Sequence, residues 1–76
     1  MDAFLVIGLC AIDDVPMYLC EDKVAATTFA AAMTPEKVAS AAGRVLGVDV
    51  SMVSGVDVVE FKAGRPQCVH FCKTFD

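Results

Sequence analysis

Apolar stretches separated by short polar interruptions predict where the first strands of this chain lie. Residues 3–12, AFLVIGLCAI, contain aliphatic and aromatic side chains without polar alternation, a pattern typical of a strand buried on both faces. Asp13 and Asp14 supply turn chemistry, and residues 15–20, VPMYLC, are predicted to form a return strand. Because Pro16 lacks an amide donor, this second strand is expected at an edge of the sheet. The first strand is then a central one.

The spacing of apolar positions changes to that of two helices between residues 22 and 47. Asp22 is a candidate N-cap for the first helix. For the second helix, Thr34 can cap, Pro35 fits the first position, and Glu36 adds a carboxylate to the positive first turn. Gly47 suits the left-handed conformation that ends a helix. The stripes predicted to face the core are Val24, Ala25, Phe29, Ala32 and Met33 in the first helix, and Val38, Ala39, Ala42, Val45 and Leu46 in the second.

Two more strands follow a connection whose conformation the pattern leaves open. Residues 48–56, VDVSMVSGV, suit either an extended segment or one helical turn opened by Asp49. A third strand is predicted over residues 56–63 and a fourth over residues 67–75, joined by a turn at residues 64–66, GRP. The order ββααββ predicts a single small α+β domain over residues 1–76. Its architecture is a two-layer sandwich, in which two helices cover one face of a mostly antiparallel four-stranded sheet.

A three-residue turn would fix the register of the last hairpin, and with it the side chains that share a face. The face packed against the helices would carry aromatic and aliphatic pairs, and the opposite face would carry the thiols and the imidazole. The predicted pairs are Phe61–Val69, Val59–Phe71 and Asp57–Lys73 on the first face, and Lys62–Cys68, Glu60–His70 and Val58–Cys72 on the second.

Residues 68–72, CVHFC, are the segment most suggestive of chemistry, because they contain two thiols and the single histidine of the chain. In a regular strand Cys68, His70 and Cys72 share a face, but at ~3.3 Å per residue the two cysteine Cα atoms stand about 13 Å apart. One zinc ion cannot reach both thiols through bonds of about 2.3 Å, and a disulfide needs Cα atoms within about 7 Å. We therefore assign no metal ligands, no cofactor and no catalytic residues.

The composition indicates more apolar surface than one small domain can bury. Hydrophobic residues make up 57% of the 76-residue chain, above the level of about 45–50% that is usual for soluble domains. Two helices cover only one face of the sheet, so a second copy is expected to bury the other face. That face carries one alternate set from the first strand, either Phe4, Val6 and Cys10 or Leu5, Ile7 and Leu9. With the first set, the predicted interface residues are Phe4, Val6, Cys10, Val58, Glu60, Cys68, His70 and Cys72.

Charge and hydropathy argue against two classes of partner. Ten acidic residues outnumber six scattered basic ones, giving a net charge of -4, whereas nucleic-acid affinity depends on clustered Lys and Arg. The longest uncharged apolar run, residues 3–12, is about half of the ~20 residues that a spanning helix needs. Asp2 stands where a signal peptide would carry a basic residue. We expect a cytoplasmic protein with four free thiols that binds neither nucleic acid nor membranes.

The function predicted from these observations is that of a non-enzymatic interaction module. It would act as a homodimer, or as one subunit of an assembly, through its apolar sheet face, with a protein partner docking there as a possible variant. The alternative is a small-molecule or metal/thiol-binding protein that uses Cys68, His70 and Cys72. An enzyme whose site forms at a subunit interface also stays open, with no residue assigned to it.

Overall fold

The protein folds into a four-stranded antiparallel sheet with two helices packed against one face. This architecture confirms the predicted fold class and the ββααββ order. The computed structural model describes residues 2–75, apart from the side chains of residues 42–46. Its elements are β1 (Ala3–Cys10), β2 (Val15–Cys20), α1 (Lys23–Ala31), α2 (Pro35–Leu46), β3 (Val53–Lys62) and β4 (Arg65–Thr74). The strand order β2-β1-β3-β4 makes β1 central and β2 an edge strand, as predicted. Neither of the helices in the described residues has the length and apolarity needed to cross a bilayer.

Side-chain caps set the helix boundaries where the sequence predicts them. The carboxylate of Asp22 accepts a hydrogen bond of 3.1 Å from the second residue of α1, and the hydroxyl of Thr34 accepts one of 3.2 Å near the start of α2. Gly47, directly after α2, is left-handed with φ +66°. Asp49 caps a 3₁₀ turn at Val50–Met52, so a helical turn forms the first half of this connection. Its second half is extended, because β3 begins at Val53, three residues earlier than predicted.

The hairpin between β3 and β4 turns on two residues, not on the three predicted. Lys62 pairs with Arg65, and between them Ala63 and Gly64 have φ values of +53° and +77°. Two successive left-handed residues form the tight turn whose twist matches that of a hairpin. Pro66 consequently lies inside β4 rather than in the turn. It is accommodated because β4 is an edge strand, where a missing amide donor costs little.

Bulges between β3 and β4 change which side chains share a face. Cys68, His70 and Cys72 would lie on one side of a regular strand, but a bulge inserts His70 as an extra residue and reverses the alternation beyond it. Cys72 therefore faces the opposite side from Cys68. The predicted register of this hairpin is wrong, and the observed pairs are Val56–Lys73, Asp57–Cys72, Val58–Phe71, Val59–Val69 and Glu60–Cys68.

The core lies between the sheet and the helices. Val6 of β1, Val58 of β3 and Val38 of α2 are fully buried there. From α1, the fully buried residues are Ala26 and Ala30, whose small side chains allow the helix to approach the sheet closely. The core-facing stripe predicted for α1 is partly wrong, because two of its members, Val24 and Ala32, are exposed. For α2, the predicted core positions Ala42, Val45 and Leu46 lie outside the described side chains.

Ala63 is expected to limit stability, because an L-residue in the left-handed region costs roughly 1 kcal/mol. Asparagine tolerates this conformation and is preferred before glycine in such turns. We expect Ala63→Asn to raise the free energy of unfolding by about 1 kcal/mol, measured by urea denaturation. The matched control is Ala11→Asn in the exposed β1–β2 connection, which should change stability by less than about 0.5 kcal/mol. Equal changes in the free energy of unfolding for the two substitutions would contradict the conclusion that the left-handed conformation of Ala63 limits stability.

Candidate functional site

The sheet face turned away from the helices, called here the open face, is largely apolar. Cross-strand partners in an antiparallel sheet lie on the same face, and one row of such partners crosses all four strands: Leu19, Leu5, Val59 and Val69. At the two ends of this row, Leu19 is 63% and Val69 is 54% exposed. The open face consists of Ala3, Leu5, Ile7, Leu9, Pro16, Leu19, Gly55, Asp57, Val59, Phe61, Pro66, Val69, Cys72 and Thr74.

One end of the open face is concave. A depression of ≈ 280 Å³ lies beside the β3–β4 turn and is lined by Ala3, Leu5, Leu19, Phe61 and Gly64. None of these lining residues is charged or carries a polar side chain. The depression therefore has the chemistry to receive an apolar side chain of another molecule.

Among the described residues, Asp57 is the one charged side chain on the open face. Its Oδ1 atom is buried and has no hydrogen-bond partner in the described part of the chain. Cys72 is the cross-strand partner of Asp57, and the adjacent carboxylate with its negative charge raises the pKa of the Cys72 thiol, with burial adding to the effect. A thiol with a raised pKa is a poor nucleophile at neutral pH.

The predicted interface residues do not lie together on an uncovered face. Val6 and Val58 are fully buried and Cys10 is 9% exposed in the core beneath the helices, so placing them on an open surface was wrong. The reason is that β1 presents its other alternate set outward, which is Leu5, Ile7 and Leu9. Of the remaining predicted residues, Phe4, Glu60, Cys68 and His70 lie on the helix side of the sheet, whereas Cys72 lies on the open face.

Glu60, Cys68 and His70 meet at a solvent-accessible end of the helix side and are called here the Glu-Cys-His cluster. Nε2 of His70 lies 2.5 Å from Oε1 of Glu60 and 3.3 Å from Sγ of Cys68. The Cys68 thiol lies 3.7 Å from the same carboxylate oxygen. The ring of Phe4 packs edge-on against the imidazole at a centroid distance of 5.5 Å. On the outer side, Nζ of Lys62 lies 4.0 Å from Oε2 of Glu60.

The environment of the cluster favours an ionised carboxylate. The hydrogen bond with His70 is the largest influence on the pKa of Glu60 and lowers it. Burial opposes this effect, whereas the charge of Lys62, the electrostatic interaction with His70 and the hydrogen bond with Cys68 add to it, so that the pKa is lowered on balance. All four cysteines are free thiols. In the core, burial and then the charges of Asp14 and Asp13 raise the pKa of Cys10. Cys10 and Cys72 are thus poor candidates for thiol chemistry.

The cluster lacks the geometry of a catalytic relay. In such a relay the base reaches the nucleophile through one ring nitrogen while the orienting carboxylate holds the other. Here Glu60 and Cys68 both approach the same atom, Nε2 of His70. Three ligand atoms that converge on one point instead suit the binding of a single cation.

The sequence predicted Glu60 beside His70 and on the same face as Cys68, and the structure brings these three side chains together, but the predicted ligand set combined Cys68 and His70 with Cys72, which lies apart from them. The bulge at His70 is responsible, because it moves Cys72 to the opposite face. The paired strands then leave Glu60 directly across from Cys68. The predicted Glu60–His70 pair was the signal that could have added Glu60 to the candidate ligands.

Known proteins provide no guide to function, because no family model, curated protein or solved structure matches the chain. The open face and the Glu-Cys-His cluster are therefore the two features of the molecule that suggest a function. These two features lie on opposite sides of one sheet, so their roles can be tested separately.

Proposed function

We propose that the protein is a non-enzymatic interaction module of the cytoplasm that forms a homodimer through its open face. The supporting observation is the apolar row Leu19, Leu5, Val59 and Val69, which crosses all four strands. Its end residues are more than half exposed in the single chain. Monomeric proteins rarely leave contiguous apolar patches larger than a few hundred Å² in contact with water.

The size of the open face is compatible with a stable dimer. Four strands spaced about 4.8 Å apart, each contributing several outward side chains, offer roughly 600–800 Å² per copy. Standard protein interfaces bury about 800 Å² per partner. At roughly 25 cal/mol per Å², such burial contributes about 15 kcal/mol per copy before the costs of association. The hydrophobic contribution is therefore large enough to offset those costs.

A second copy is the occupant that suits the face best. A two-fold axis sets the same patch of each copy against the other, so an apolar row meets an apolar row without further adaptation. Two sheets stacked in this way would lie about 10 Å apart with interdigitated side chains. Each copy has a net charge of -4, but among the described residues only one charged side chain, that of Asp57, lies on the open face. Most of the like charge would therefore stay outside the contact.

We expect Val69→Lys to weaken the dimer. Val69 is 54% exposed, so the substitution should not disturb folding, but it would bury an unpaired ammonium group in the interface. A loss of about 2 kcal/mol or more corresponds to a dissociation constant at least ~30-fold higher. Sedimentation equilibrium over a concentration series measures this, with the unmodified protein expected at twice the chain mass of 8.0 kDa.

The matched control is Val24→Lys. Val24 is a valine of comparable exposure, 70%, but it lies on α1, away from the open face. This control should dimerise like the unmodified protein. A chain that stays monomeric at high micromolar concentration, or a dimer equally sensitive to both substitutions, would contradict the proposal.

A further inference from the structure

The ligand atoms of the Glu-Cys-His cluster form a triangle close to one face of a zinc coordination tetrahedron. Zinc bonds of about 2.3 Å to sulfur and 2.0–2.2 Å to nitrogen and oxygen imply edges of roughly 3.4–3.6 Å. The S–N and S–O edges, 3.3 Å and 3.7 Å, already match these lengths. The N–O edge of 2.5 Å is shorter by roughly 0.9 Å. This edge is the hydrogen-bonded contact between Glu60 and His70, which an ion would replace.

Two paired strands hold the triangle in place. Glu60 of β3 and Cys68 of β4 are direct cross-strand partners, and the bulge brings His70 to the same side of the sheet. Phe4 of β1 supports the imidazole through an edge-on ring contact. Ligands carried by sheet strands are positioned more reproducibly than ligands carried by loops. Little backbone rearrangement is therefore required for an ion to bind.

The charges of the cluster also suit a divalent cation. Metal ions bind cysteine as the thiolate, so Glu60 and Cys68 as ligands would together contribute two negative charges, which one dication would neutralise. The nearby ammonium group of Lys62 contacts the outer oxygen of Glu60, and its side chain is 58% exposed. It can therefore move into solvent when an ion arrives, and it occupies no ligand position.

We infer that Glu60, Cys68 and His70 bind one Zn²⁺ per chain, with the fourth coordination position open to water or to a ligand from outside the chain. A thiolate, an imidazole and a carboxylate are all established zinc ligands. Mg²⁺ and Ca²⁺ prefer sites made entirely of oxygen atoms. This site lies on the helix side of the sheet, so it does not depend on self-association through the open face.

The test uses the full chain, purified with a non-thiol reductant and without chelators, and Co²⁺ as a spectroscopic probe for the zinc position. We expect saturation at one Co²⁺ per chain, with a thiolate-to-cobalt charge-transfer band and visible bands of tetrahedral intensity. Zn²⁺ should then displace Co²⁺ stoichiometrically, because Zn²⁺ binds such sites more tightly. The unfolding temperature should rise with added Zn²⁺, since the ion binds the folded chain preferentially.

Substitutions identify the ligands. Cys68→Ser should abolish the charge-transfer band, and His70→Gln or Glu60→Gln should weaken Zn²⁺ binding by more than about 100-fold, because loss of an outer-shell partner alone costs about 10–100-fold. The matched control is Cys72→Ser, which changes a thiol on the opposite face and should leave the band intact. Urea denaturation confirms that each variant is folded.

The outcomes separate the zinc site from the proposed dimer. A band that survives Cys68→Ser, a band lost in Cys72→Ser, or the absence of any band with excess Co²⁺ would overturn the assignment. A band lost in the interface variant Val69→Lys would also overturn it, because the site would then depend on the open face. Retention of the band in a monomeric Val69→Lys protein supports a site contained within one chain.

Discussion

Replacement of Val58 by lysine is expected to unfold the protein, whereas the same replacement at Val59 should leave it folded but monomeric. Val58 is fully buried between the sheet and the helices. An unpaired ammonium group at such a position costs several kcal/mol. The whole stability of a domain is about 5–15 kcal/mol, and short chains lie toward the lower end. Val58→Lys should therefore lose its cooperative unfolding transition and its dispersed NMR spectrum.

The neighbouring residue points to the other side of the sheet. Val59 is half-buried within the apolar row of the open face, where a lysine stem can run along the sheet and keep its ammonium group in water. The unfolding transition of the Val59→Lys protein should match that of the unmodified protein when both are measured at chain concentrations below the dissociation constant of the dimer. At higher concentration, sedimentation should show a monomer for Val59→Lys and a dimer for the unmodified chain.

This pair of variants also tests the face assignment itself. The hairpin register expected from sequence put Val59 against the helices and Val58 on the outer face, the reverse of the structure. A folded Val58→Lys protein together with an unfolded Val59→Lys protein would restore the sequence-based register. Val58→Ala provides an intermediate control, because removal of two buried methyl groups should destabilise the fold by about 1–3 kcal/mol without adding charge.

Gly55→Ala should produce the second large effect. A Cβ atom at Gly55 would collide with the backbone carbonyl oxygen of Lys73 on the paired strand, and the next nearest atoms, at 3.3 Å, also belong to the backbone. Backbone atoms cannot rotate away, so β3 and β4 would have to separate there. Lys73 would then lose its contacts with α1 and the following segment, where its ammonium group donates to the carbonyl oxygens of Ala31 at 2.8 Å and Met33 at 3.1 Å.

We expect Gly55→Ala to lower the free energy of unfolding by more than about 2 kcal/mol, which corresponds to a drop of about 10 °C or more in Tm for a domain of this size. The matched control is Gly8→Ala in β1. There a Cβ atom would meet side chains, Val38 Cγ1 at 2.7 Å and Met17 Sδ at 3.0 Å; the flexible methionine can change its rotamer, and the buried valine can shift more easily than a paired backbone. Thermal unfolding should rank Gly55→Ala as the more damaging; the opposite order would contradict the account.

The features that the sequence predicted correctly depend on short-range chemistry. The Asp22 cap, the Thr34 cap and the left-handed Gly47 each act within one helical turn of the boundary they set. Pro16 predicted an edge strand because a missing amide donor is a property of the residue itself. The surplus of apolar residues also follows from the sequence, since it needs no knowledge of which face they occupy.

The features that the sequence did not predict depend on which face of the sheet each side chain of β4 occupies. Pro66 favoured a three-residue turn, whereas the chain turns at Ala63 and Gly64. Bulges at Gln67 and at His70 then shift the alternation twice more. Each change of one residue moves every later side chain to the other face, and the bulge at His70 is the reason that Cys72 lies on the face opposite Cys68.

The sequence by itself determined the order of the elements, the helix ends and the presence of more apolar surface than two helices can cover. The tertiary structure alone decided which alternate set of β1 faces outward and which three ligand atoms converge. The physical reason is that helix ends and strand types are set by neighbours a few positions away. A strand register, in contrast, is set by turn geometry, bulges and packing against a distant helix, and no residue pattern within one strand encodes it.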